Sequence, residues 1–123
     1  MRYVVYPLLL GALVVGVLVM RDATLSTHQP VAADSQLAVV VHAREHRGEP
    51  TQSIAERAEA VTLLCRLEVN ADPTGAIEDI GDDDFRFVLR PSLDRTDRRQ
   101  LRGCLEDWRA DGILLDVVSM VDL

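Results

Sequence analysis

The stretch IEDIGDDDFRFVLR, residues 77–90, decides how the folded part of this chain is read. In its second half Phe85, Phe87 and Leu89 alternate with Arg86, Val88 and Arg90. A period of two puts successive side chains on opposite faces, so this is a strand with one face for a core. Gly81, Asp82, Asp83 and Asp84 precede it, and such a cluster favours a tight turn. Upstream, Leu67 and Val69 alternate with Arg66 and Glu68, and apolar positions resume at Ile77 and Ile80 after a bend at Pro73-Thr74-Gly75. Two such runs around a short polar turn predict a β-hairpin at the centre of the domain.

Helical signals flank the hairpin. Ser53 and Glu56 match the S-x-x-E capping box, in which each side chain satisfies the other residue's backbone N–H. Ile54, Ala58, Val61 and Cys65 follow at helical spacing, with Glu56, Arg57 and Glu59 on the far side, and the helix is expected to end near Leu64. After the hairpin, Asp94 caps a second helix whose inner stripe is Leu101, Cys104, Leu105 and Trp108. Arg98, Arg99, Arg102, Glu106 and Arg109 fall mostly outside that stripe, and Gly112 suits the residue just past the helix end. Leu37–Ala43 (LAVVVHA) reads as a strand buried on both faces, and Ile113–Val121 (ILLDVVSMV) as a closing strand with Ile113, Leu115, Val117 and Val121 on its inner face. The order is β-α-β-β-α-β. It predicts an α+β fold, a small ferredoxin-like βαββαβ sandwich with two helices on one face of an antiparallel sheet.

Ahead of this domain lies YVVYPLLLGALVVGVLVM, residues 3–20, an uncharged apolar run long enough to span a bilayer's hydrocarbon core as a helix. Arg2 precedes it, while Arg21 and Asp22 cancel each other behind it, so the positive-inside rule puts the N-terminus in the cytoplasm and the domain outside. A cleaved signal peptide has a shorter apolar core with its small-residue site close behind. Here the nearest such site, Val31-Ala32-Ala33, lies far past the run, and a retained anchor is the expectation. The organisation is therefore a transmembrane anchor over 1–21, a juxtamembrane linker over 22–36, and an extracytoplasmic α+β domain over 37–123.

Composition narrows the partners. About 85–90 residues remain after the anchor, enough for one modest core. The net charge of −7 repels phosphate backbones and argues against nucleic acid. All 13 cations are arginine, a bias that points to GC-rich coding DNA and a bacterial source. Outside the membrane, Cys65 and Cys104 are candidates for a disulfide, with two buried thiols as the alternative; there is no C-x-x-C spacing for redox work.

Chemistry-bearing motifs are few. His42-Ala43-Arg44-Glu45-His46 matches the H-x-x-E-H pattern of inverzincin peptidases, but that pattern needs a helix to bring both histidines to one zinc. Starting at a strand end, the histidines would stand about 13 Å apart. Asp79, Asp82, Asp83 and Asp84 lack the alternating ligand spacing of a calcium loop and suit a solvated turn. Ser53, Ser92 and Ser119 sit in no G-x-S-x-G elbow, and Trp108 belongs to the core stripe. No catalytic residue, metal or cofactor is assigned.

If Phe85, Phe87 and Leu89 face the helices, Arg86, Val88 and Arg90 point away, joined from the last strand by Leu114, Asp116, Val118 and Met120. That mixture of branched apolar groups and charges suits a partner-binding face. The functional expectation is a single-pass module for protein interaction or self-association in a bacterial cell envelope. The alternative is a small-ligand or metal sensor using the loop from Arg44 to Gln52.

Overall fold

The computed structural model of the protein describes residues 2–25, 28–46, 51–109 and 112–123. Helix α1 runs over Arg2–Leu25, and its Val5–Ala23 stretch has a mean hydropathy of 1.8 with none of it buried by the rest of the chain. It is long and apolar enough to cross a bilayer. Pro7 lies within it.

The rest is an α+β domain. Its strands are β1 (Leu37–Glu45), β2 (Asp72–Pro73), β3 (Glu78–Gly81), β4 (Asp84–Arg90) and β5 (Ile113–Asp122). Its helices are α2 (Ile54–Cys65) and α3 (Arg95–Asp107). The strand order is β2-β4-β1-β5, with β3 also paired to β4 and every pairing antiparallel. The apolar run in β1 explains its place: an interior strand loses water from both faces. Leu37, Val39 and Val41 are fully buried under the helices, and Ala38 is nearly so on the other side.

The capping box at Ser53 forms as expected, with the Glu56 N–H donating to Ser53 Oγ and the Ser53 N–H to Glu56 Oε2. From α2, Ala58, Val61 and Cys65 reach the core; from α3, Leu101 and Leu105 do, and Asp94 caps that helix by accepting the Asp97 N–H. A Cys65–Cys104 disulfide joins the two helices across 39 positions of sequence. Both helices pack on the sheet face carrying Phe85, Phe87 and Leu89.

Two expectations fail. Arg66–Glu68 is a 3₁₀ turn continuing α2, not a strand, and Leu67 is exposed. A four-residue alternation is satisfied equally by one more helical turn. Asn70 then ends the turn in the left-handed region (φ 51°), which asparagine tolerates. Nor does Gly112 cap α3: that helix stops at Asp107, with Trp108 extended as its C-cap. Gly112 instead turns the chain into β5 with a φ of 66°, its carbonyl accepting the His46 N–H.

The central hairpin stands. Asp82 and Asp83 form a two-residue turn with φ of 57° and 61°. Positive φ at both positions matches the twist of flanking strands, and aspartate reaches that region more readily than most residues. The acidic cluster is thus explained by turn geometry.

Candidate functional site

Among the described residues no helix of the domain covers the second face of the sheet, and the register arranges its residues in rows. Val88, Ala38 and Val121 stand side by side, then Arg86, Val40 and Ser119, then Asp84, His42 and Asp116, with Arg44 beside Leu114. Of the residues expected there, Arg86, Val88, Leu114 and Asp116 take their places. Met120 does not. The β1–β5 register shifts between Val40 and Val41, so Ser119 pairs with Val40 while Val117 pairs with Val41, leaving Val118 as the extra residue. A bulge of this kind reverses which face later side chains take. Met120 therefore packs against the core, and Val121, expected inward, lies outward and exposed.

The charges of this face are largely satisfied within the chain. Arg44 pairs with Asp116 at 2.8 Å, His42 Nδ1 with Asp84 at 2.6 Å, and Arg86 approaches Glu78 at 3.9 Å. Arg90 reaches back to donate to the Ala33 carbonyl at 3.3 Å. What lies open is apolar: Val118 and Val121 are each more than half exposed, beside Val40 and Val88. A second apolar patch, Leu63, Leu64 and Leu67, lies exposed at the end of α2 and the turn after it. The misread strand hid it from sequence reasoning.

The H-x-x-E-H motif carries no zinc geometry. Residues 42–45 lie on β1, His42 is bound to Asp84, and Glu45 pairs with the buried Arg57 at 2.7 Å. Residues 47–50 of the loop proposed for a sensor lie outside the described residues.

A groove of about 720 Å³ lies elsewhere, between Gln29–Gln36 and the start of α3. Within the stretch read as a juxtamembrane linker, Gln29–Gln36 is bonded to the domain. The Gln29 N–H donates to Asp94 Oδ2 at 2.8 Å, the Ser92 N–H to Ser35, and the Leu123 N–H to the Gln36 carbonyl. Below the groove, Arg98 Nη2 donates to Asp122 Oδ1 at 2.6 Å, and the Ser92 hydroxyl donates to the same oxygen. His28 Nδ1 stands 3.5 Å from oxygens of Asp94 and Asp97. Both Asp94 oxygens already accept backbone N–H groups, so the trio reads as a helix cap with a histidine beside it.

These bonds set the acid response. The Asp97 backbone N–H, with further help from Gln29, holds Asp94 below the ordinary aspartate range, and Arg98 and Ser92 do the same for Asp122. Burial and the neighbouring Asp94 push Asp97 the other way. A lowered folded pKa stabilises the fold above the unfolded value near pH 4 and is lost as pH falls through the folded value. The expected result is a Tm that is flat through neutral pH and falls below about pH 4. Asp122→Asn should flatten that fall; an unchanged acid limb would show that the Arg98 and Ser92 bonds to this carboxylate do not set it.

No protein-family model, curated protein or solved structure matches this chain.

Proposed function

We propose that this chain is a single-pass, membrane-anchored extracytoplasmic module that acts by protein interaction or self-assembly in a bacterial cell envelope. The observation that carries the reading is the pairing of an exposed, bilayer-length α1 with a domain whose uncovered sheet face is apolar where its charges are not already paired. The disulfide suits an oxidising compartment, as expected outside the cytoplasm. The all-antiparallel β2-β4-β1-β5 order, with both helices on one face, supports a ferredoxin-like sandwich. Retention of α1 is supported by the docked segment behind it. Cleavage after Ala33 would remove the Gln29 bond to Asp94 and the carbonyl that Arg90 holds.

The occupant favoured for the sheet face is a second copy. Strand β5 is ten residues long and lies at the sheet edge, where an unpaired ladder can add another strand. Anchoring keeps identical edges in one membrane. Charge reversal at Arg86 or Arg90 is a poor test, because those side chains serve Glu78 and Ala33 within the chain. Val118→Arg and Val121→Arg are better. Burying a valine contributes about 1.5–2 kcal/mol, so each should weaken copy-to-copy association by an order of magnitude or more. Crosslinking of the full chain in membranes measures this. A chain that crosslinks to nothing, or variants that crosslink like the parent, would remove the reading.

A further inference from the structure

We propose that the groove between Gln29–Gln36 and α3 holds the phosphate of an anionic phospholipid from the membrane that carries α1, seating the domain on the headgroup layer. The inference rests on α1 being retained in that membrane.

Charge comes first. Arg95, Arg99 and Arg102 recur at helical spacing along one stripe of α3, all three line the groove, and all three are exposed. Among the described residues none of them is ion-paired or hydrogen-bonded through its side chain, whereas Arg98 between them is bound to Asp122. The groove's aspartates are committed, Asp94 to two backbone N–H groups and Asp122 to Arg98 and Ser92. Three uncommitted guanidinium groups therefore face one concavity on a chain whose net charge is −7. Guanidinium forks match phosphate oxygens in geometry as well as sign. Val31 and Met120 add apolar lining suited to the glycerol and first acyl carbons of a lipid.

Chain length then selects the source of the phosphate. Helix α1 ends at Leu25, and the Gln29 N–H is bonded to the cap of α3. Four residue steps span at most about 14 Å, so the groove wall cannot move farther than that from the end of α1. The polar layer on each side of the hydrocarbon core is itself roughly 5–7 Å deep. The arginine stripe is thereby tethered where headgroup phosphates are concentrated, and a lipid in the same bilayer is favoured over a soluble phosphate.

The test uses the full chain in nanodiscs containing both phosphatidylglycerol and phosphatidylcholine, with native mass spectrometry counting the lipids retained on release. The parent should retain phosphatidylglycerol preferentially. An arginine near an anionic surface changes affinity about fivefold, so R95Q/R99Q/R102Q should lower that preference by about a hundredfold. Arg109→Gln removes one positive charge outside the groove and should leave the preference unchanged. All four side chains are exposed, so an unchanged Tm verifies that the variants fold. Equal retention of both lipids by the parent, or an undiminished preference in the triple variant, would overturn the proposal. So would displacement of the lipid by inorganic phosphate at equal concentration, which would mark a soluble-anion site. Alkaline extraction of the parent from membranes separates the two readings. Release overturns the anchor and the lipid seat together; retention without lipid preference overturns the seat alone.

Discussion

A chain with both Cys65 and Cys104 replaced by alanine is expected to lose about 4 kcal/mol of folding stability. The bridge closes a loop across 39 positions, and the chain-entropy cost of leaving such a loop open has that size. It also staples α2 to α3, both of which pack on the sheet. A domain of about 85 residues has a total stability of roughly 4–13 kcal/mol, so the loss takes a large share. Cys65 is fully buried, and its truncation adds a small void to the entropic term. Guanidinium unfolding of the full chain in detergent, followed by circular dichroism, measures the difference. A change below about 1 kcal/mol would show that the two helices are held by packing alone.

The second large effect concerns α1. Ten leucine or valine residues lie between Val5 and Ala23, and each favours insertion by about 0.3–0.6 kcal/mol, or roughly 3–6 kcal/mol together. Arginine near the centre of a span costs about 2.5–3.5 kcal/mol. Leu13→Arg with Val15→Arg therefore reverses the sign of the balance, and the protein is expected to leave the membrane fraction on alkaline extraction. Continued retention of the double variant would mean that something other than α1 holds the chain there. The intact mass of the parent separates a retained anchor from a cleaved leader, since only the anchor leaves residues 1–33 in place.

The helix caps at Ser53 and Asp94, the hairpin at residues 78–90, the apolar β1 and the bilayer-length run were legible because each is a local matter. A capping box spans four residues, a strand's alternation seven, and a membrane span follows from one unbroken apolar stretch. The strand drawn through Leu67 and Val69 failed where the local signal was too short to separate a strand from a last helical turn. The candidate surfaces were legible only in part. Arg86, Val88, Leu114 and Asp116 followed from period two, but Met120 and Val121 exchanged faces because the β1–β5 pairing shifts at one place. That shift depends on a partner strand about eighty positions away in sequence. The groove was missed for a related reason: Gln29–Gln36 shows no periodicity of its own and is held by bonds to Asp94, Ser92 and Leu123. The sequence by itself thus determined the anchor-length helix, the α+β elements and the cysteines available to join the helices, since hydropathy and capping act within a few residues. Only the tertiary structure decided that Cys65 meets Cys104, that Val121 faces outward, and that three arginines of α3 share a groove with the segment leading from α1. Each of these is a contact between residues far apart in the chain, set by register and packing.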